Sequence, residues 1–362
     1  MNAPVSIIGS GLAGLSAAAV LSRAGRDVKI VDRAPHLGGY KGQDFQVIRN
    51  YGEDLGFVDS LTKYGIDIKY KHPVSSIVKY APSGKSMEVT SDNGPLFYVV
   101  KRGKSAISLD SQIYSAIDKK HATFEYNRNA SIMTGDIIAT GPIIRNLAGF
   151  GYTYEGIDLD ADKIYFFMDN KYAPNGYIYV SPYGDGTASI ASVSYDLNCN
   201  LKVFLDRFLE NNPFMSKAVK SVTNTEVFSG YAYCNYPETA KVNDKLFIGA
   251  AAGFVEAARG FGVKYSILSG ILAAQSMIEG SDYDKLWKDS FGKELLESIS
   301  RHFLLSGLNN EGLERLVMGE KISVKNYKKV PSGLTDLYNQ IKVQNELKKW
   351  RHQYNLKKMF EN

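Results

Sequence analysis

The chain has 362 residues, 43 of them lysine or arginine and 38 aspartate or glutamate, for a net charge of +5. That length can bury a sizeable core and suits two interleaved domains. A composition of 44% apolar and 22% charged residues is that of a globular protein rather than a disordered one. The basic excess is not concentrated before the C-terminal tail, which argues against a nucleic-acid-binding surface.

Two cysteines, Cys199 and Cys234, are too few for a disulfide framework and lack metal-ligand spacing. Both are expected to be buried, in a protein of the cytoplasm. The stretch from Ala3 to Leu21 has no basic residue before it and is interrupted by Gly9, Gly11 and Gly14, unlike a signal peptide. No run of about 18 apolar residues free of charge is present, so no membrane-spanning segment is expected. The 24 tyrosines suggest amphipathic surfaces or a pocket lined by rings with polar tips.

Val5 to Ile8 reads as a short buried strand, followed by the turn Gly9-Ser10-Gly11-Leu12-Ala13-Gly14 and a small-residue helix to about Ala24 that Gly25 stops. Val28 to Val31 is a second strand, ending on Asp32 and Arg33. In such a unit the first glycine permits the tight turn, the second lets backbone approach a pyrophosphate, and the third lets helix and strand pack closely. The helix start, with the N–H groups of Leu12 and Ala13, offers donors and a positive dipole end to phosphate. Asp32, placed to accept hydrogen bonds from ribose hydroxyls, favours FAD or NAD over NADP.

After Asp32 the alternation of strand and helix is lost. Ser75 to Tyr80 and Ser86 to Ser91 form a hairpin around Pro82-Ser83-Gly84-Lys85, and Leu96 to Val100 is a further strand. Ser108 caps a helix running to about Lys120, and Asp136 to Ala139 is a strand ending in Thr140-Gly141. Lys163 to Val193 has strand character, with turns at Pro174-Asn175-Gly176 and Tyr183-Gly184-Asp185-Gly186. Leu201 to Asn211 is a helix with Val203, Phe204, Phe208 and Leu209 as its apolar face. Leu246 to Ile248 is a strand, Val263 to Ile278 a helix, and the chain from Tyr283 is helical and charged.

The fold class is therefore α/β, a Rossmann-like dinucleotide-binding domain with an inserted β-rich domain and C-terminal helices; the resemblance described below implies an FAD-binding domain and an antiparallel β-sheet substrate domain. Residues 1–70, 101–150 and 245–282 make the discontinuous nucleotide domain, 71–100 and 151–244 the β-rich substrate domain, and 283–362 the helical region.

Taken together, Gly9 to Gly14 with Asp32, Ile137 to Gly141, and Leu246 to Gly262 resemble the FAD-dependent flavoproteins of the p-hydroxybenzoate hydroxylase superfamily. Within it, Pro174-Asn175-Gly176-Tyr177-Ile178-Tyr179-Val180-Ser181-Pro182 looks like the P-x-x-Y-x-W-x-F-P segment of the geranylgeranyl reductase family. Leu246 to Phe254 is similar to its L-x-x-G-D-A-A-G-F, and Arg259 to Val263 to its T-G-E-G-I.

The resemblance implies FAD held by Thr140, Gly141, Gly249, Ala250, Gly260, Phe261, Gly262 and Val263, with Lys41 and Arg102 placed to meet phosphate or flavin. It also implies an oxidoreductase that reduces C=C bonds of a hydrophobic prenyl lipid, fed by an external electron donor. The lining of a greasy tunnel would come from Tyr165, Phe166, Phe167, Tyr177 and Tyr179. A flavin monooxygenase, a prenyl cyclase, or a non-catalytic lipid- or nucleotide-binding relative would use the same fold.

The chain departs from the family pattern in three places. Ala250 stands where the family has an aspartate for a ribityl hydroxyl, a loss of roughly 1.5–3 kcal/mol of gross interaction. Gly38 to Gln43 replaces a segment that carries a cysteine, and Tyr179 and Ser181 replace the motif's tryptophan and phenylalanine. None of His36, His72, His121, His302 and His352 has metal spacing or a triad partner, and no metal is expected. The tail from Lys342 to Lys358, with Lys348, Lys349, Arg351 and Lys357 among Leu347, Trp350, Tyr354 and Leu356, has the character of a basic helix that rests on a lipid surface.

Overall fold

The structure is a computed structural model that describes residues 3–39, 44–220, 222–319, 344–350 and 353–356. The chain opens with β1 (Val5–Ile8), α1 (Leu12–Arg23) and β2 (Val28–Val31), the bounds read from the apolar runs and the glycines. Then come β3 (Phe45–Arg49), α2 (Phe57–Ser60), β4 (His72–Val74), β5 (Ser76–Tyr80), β6 (Ser86–Thr90), β7 (Phe97–Lys101), α3 (Leu109–Ser115), β8 (Ala122–Glu125) and β9 (Ile137–Ile138). The middle of the chain holds β10 (Leu147–Glu155), β11 (Lys163–Phe167), β12 (Gly176–Pro182), β13 (Thr187–Ser194), α4 (Leu201–Asn211), α5 (Pro213–Val219) and β14 (Asn224–Ala232). After the short pair β15 (Lys241–Val242) and β16 (Lys245–Phe247), the helices α6 (Val263–Glu279), α7 (Tyr283–Trp287), α8 (Lys293–Leu305) and α9 (Asn310–Gly319) follow.

A six-stranded sheet in the order β15-β16-β9-β1-β2-β8 carries the N-terminal unit, parallel except for the β15/β16 pair. Its central strands are apolar apart from Ser6 and Lys29 because helices bury the sheet, α1 and α6 packing together among them. A seven-stranded sheet in the order β14-β10-β13-β12-β11-β5-β6 forms the second layer. It is not wholly antiparallel, since β11 runs parallel to β5. The strand at Phe97–Lys101 leaves that sheet and pairs with β3 and β4 in a small third one, and β15, placed by sequence in the substrate domain, extends the nucleotide sheet.

Two helices differ from expectation. Ser108 does cap α3, its hydroxyl accepting the Ser111 N–H, but the helix ends at Ser115. In α4 the buried positions are Leu201, Leu205, Phe208 and Leu209, while Val203 is 48% exposed. The helix lies on the β13 side of the large sheet and turns the 201/205/208 stripe inward. Cys234 is buried as expected, and burial pushes its thiol up to about 12, whereas Cys199 is half-buried.

The described part of the tail uses its apolar face internally. Leu347 and Leu356 are buried, and Trp350 packs against His302, Phe303 and Tyr354. The face expected to meet lipid is thus part of the protein's own core, though Lys348 and Lys349 are exposed. Lys342, Arg351, Lys357 and Lys358 lie outside the described residues. Among the described residues no helix is long and apolar enough to cross a membrane.

Candidate cofactor and substrate cleft

The turn after β1 folds as its glycines require. Gly9 sits at φ +109°, where a side chain would also overlap the Ala139 carbonyl, and a methyl at Gly14 would overlap the Gly9 carbonyl oxygen. Gly11, the N-cap of α1, has no side chain to occupy the helix start, and no atom lies within 4 Å of where its Cβ would be. The N–H groups of the first turn therefore open onto free space.

That space is a cleft of about 660 Å³. Gly9, Gly11, Leu12, Ala13, Asp32, Arg33, Arg102, Thr140, Gly141 and Ala250 line it, so ten of the expected cofactor residues are brought together from distant parts of the chain. Gly14 and Gly249 stand behind the wall. Gly14 makes the close helix approach, and the Gly249 N–H donates to Ser269 Oγ at 2.8 Å. Lys41 lies outside the described residues.

Asp32 is held at the end of β2. Its Oδ2 accepts the Ser10 N–H at 2.5 Å and the Ser10 hydroxyl at 2.7 Å, and its Oδ1 accepts the Ala34 N–H at 2.8 Å. Oδ2 is thereby filled by two donors, and the remaining acceptor capacity for a ribose hydroxyl is on Oδ1, which holds one.

A second cavity of about 220 Å³ adjoins the first, and Leu12, Arg102, Ala250 and Ser266 line both. Its walls include Gly260, Phe261, Gly262 and Val263 at the start of α6, and Phe166, Tyr177 and Tyr179 from the large sheet. The Tyr177 hydroxyl donates to the Arg259 carbonyl oxygen. Burial raises both tyrosine hydroxyls above the ordinary phenol value, so they are neutral donors at neutral pH.

Tyr165 and Phe167 do not reach this cavity. Successive strand residues face opposite sides, and on β11 it is Phe166 that faces the cavity. Tyr165 and Phe167 instead pack with Phe208 and Phe214 under α4 and α5.

Arg102 is 4% exposed and is fixed on every side. Nε and Nη2 donate to the two carboxylate oxygens of Asp110 at 2.8 and 3.0 Å, and Nη1 donates to Gln46 Oε1 at 2.7 Å. Gln46 Nε2 in turn donates to Asp44 Oδ2 at 2.9 Å. At the foot of α6, Lys264 pairs with Asp54 and Glu294, and Arg49 pairs with the same two carboxylates. This four-residue cluster ties the start of α6 to β3 and α8.

Sequence reasoning missed several lining residues, among them Ser10, Asn129, Ala130, Tyr231 and Ser266. Ser10 lies inside the glycine motif and was open to view. The residues after β8 were not, because that strand was not recognised.

Comparison with known proteins agrees with this geometry. A family profile described as an NAD(P)-binding Rossmann-like domain matches residues 7–55, and the geranylgeranyl reductase catalytic domain matches 147–227. The digeranylgeranylglycerophospholipid reductase 2 of Methanopyrus kandleri is 26% identical over 92% of this chain and 96% of its own. The digeranylgeranylglycerophospholipid reductase of Thermoplasma volcanium is 28% identical over 74% of this chain and 68% of its own. Among solved structures, a geranylgeranyl bacteriochlorophyll reductase-like protein from Thermoplasma acidophilum superposes with a TM-score of 0.71 at 21% identity, covering 96% of this chain and 98% of its own. A myxobacterial FAD-dependent halogenase shares the fold at TM-score 0.60 and 14% identity, covering 95% of this chain and 96% of its own.

Proposed function

We propose that this chain is a member of the geranylgeranyl reductase family and that it is an FAD-dependent oxidoreductase that reduces C=C bonds of a prenyl lipid. The observation that carries the reading is the junction of the two cavities. A cleft whose one end is a dinucleotide-binding helix start runs, past Leu12 and Ala250, into a cavity walled by Phe166, Tyr177 and Tyr179.

The residues present fit FAD at its adenosine half: an uncapped α1 start, open space beside Gly11 and Gly141, and Asp32 at the strand end. At the flavin half, Ala250 supplies no carboxylate, and the start of α6 shares the cavity wall with the polar side chains of Gln46, Arg102 and Ser266. When bound, the flavin supplies hydride chemistry, which no side chain can provide.

The protein's own residues bind, orient and exclude water. The aromatic wall desolvates an apolar chain and presents its flat alkene to the cofactor side. The dipole at the start of α6 favours negative charge there. Electrons arrive from an external donor. The relatives named as digeranylgeranylglycerophospholipid reductases support an unsaturated prenyl glycerophospholipid as substrate.

The test is to load the purified protein with FAD, reduce it with dithionite, and add such a lipid. The product should gain the mass of two hydrogens per bond reduced. Recovery of unchanged lipid from flavin-loaded, reduced protein would refute the reading.

A further inference from the structure

The aromatic cavity of about 220 Å³ is too small to hold a whole prenyl chain. Pockets that enclose a drug-sized ligand run to roughly 300–1,000 Å³, and a geranylgeranyl chain is longer than most such ligands. With the cleft taken by the cofactor, part of the chain must lie elsewhere. A third cavity, of about 60 Å³, supplies the place. Tyr177, Val193 and Arg259 line both it and the aromatic cavity, so the two share a wall.

The large sheet floors both. Tyr177 and Val193 are cross-strand partners on β12 and β13, and Tyr179 partners Phe166 on β11, so all four lie on one face. Leu147 on β10, two residues before the Gly149 that partners Val193, extends that face into the third cavity. Over the aromatic cavity the opposite wall is the start of α6; over the third it is the end of α8 and the turn into α9, with Leu305, Leu308 and Leu313. At the junction the Tyr177 hydroxyl donates to the Arg259 carbonyl oxygen, a bridge from one wall to the other that narrows the passage.

Hydrogen bonds hold the outer end together. Asn170 Nδ2 donates to the Leu308 carbonyl oxygen at 2.8 Å, the Asn170 N–H donates to Asn310 Oδ1 at 2.9 Å, and Asn310 Nδ2 donates to Asp169 Oδ1 at 2.8 Å. They clasp the turn after β11 to the start of α9. The lining suits hydrocarbon rather than a phosphate head group. Among the described residues that line it, the one cationic side chain is Arg259, which pairs with the buried Glu256 at 3.5 Å, and burial keeps His302 neutral.

We propose that this third cavity receives the terminal isoprene unit of the substrate, and that Leu308 at its outer end sets the longest prenyl chain the protein accepts. The proposal rests on the reductase reading and adds to it a place for the far end of the chain and a limit on its length.

Two measurements test it. The FAD-loaded protein is irradiated with a geranylgeranyl glycerophospholipid that carries a diazirine on its terminal isoprene unit, and the labelled peptides are mapped by mass spectrometry. The label should fall within residues 302–313 or 168–177, which wall the third cavity; label confined to other parts of the chain overturns the proposal. In the dithionite-reduced protein, kcat/KM is then compared for geranylgeranyl and geranyl glycerophospholipids. Leu308→Trp should lower the long-to-short ratio roughly tenfold, and Leu308→Ala, which enlarges the end of the cavity, should raise it. Should one variant fail to fold, the other carries the comparison. A ratio that matches wild type in every folded variant overturns the length limit. Wild-type protein that takes the label in the third cavity yet reduces neither lipid overturns the reductase reading instead, and leaves the position of the chain standing.

Discussion

Gly270 of α6 lies directly against the backbone of Ala13 in α1: a methyl group at Gly270 would overlap the Ala13 carbonyl oxygen and come within 3.0 Å of the Ala17 nitrogen. Both obstacles are backbone, which cannot swing aside. Gly270→Ala should therefore destabilise the protein by roughly 1–3 kcal/mol, since overpacking forces the helices apart. Gly11→Ala meets no atom and should melt like wild type, while its methyl enters the cofactor space and weakens FAD binding. Thermal melting and flavin titration of the two variants separate a packing glycine from a binding one.

Ala250 lines both cavities. Ala250→Asp would add an acceptor for a ribityl hydroxyl, and FAD affinity should rise tenfold to a hundredfold, about 1.5–3 kcal/mol. Flavin fluorescence quenching measures this. Unchanged affinity would mean that the position does not face the ribityl chain.

Two aromatic residues from the same sheet should respond differently. Phe167 is buried among Tyr80, Phe208 and Phe214, so Phe167→Ala should cost about 3–5 kcal/mol of stability. Tyr179 is only half-buried and lines the cavity, so Tyr179→Ala should cost less stability and change KM for the lipid. Denaturation curves together with lipid kinetics distinguish the two.

His302 is 8% exposed and ringed by Tyr195, Phe303 and Trp350, and burial lowers its value from 6.5 to about 4. The folded state thus binds the proton less readily than the unfolded chain. Its contribution to stability is complete above about pH 6.5 and is lost as pH falls toward 4, on the order of 3 kcal/mol in all. Melting temperatures of wild type should drop across that window more steeply than those of His302→Phe.

The parts legible in the sequence are those set by neighbouring residues. The unit β1-α1-β2 follows from short apolar runs and glycines, and the limits of α4 from its apolar residues; the Asn200 side chain that accepts the Val203 N–H at its start emerged only in the fold. The nine-residue strands β10 and β14 were not read: β10 carries glycines at 149 and 151, and β14 is an exposed edge without alternation.

Pairing that spans the chain was equally hidden. Period two separates Tyr165 and Phe167 from Phe166 but does not say which set meets the cavity. Arg102, expected to meet phosphate or flavin, does line the cleft, but its partners Gln46 and Asp110 are brought to it only by the fold.

The central claim is that the joined cleft holds a flavin. Its most direct test is the absorbance spectrum of the purified protein, before and after incubation with excess FAD and removal of the free cofactor, with mass spectrometry of any extracted ligand. The account predicts a retained flavin band and FAD in the extract. A colourless protein that gains no band would contradict it.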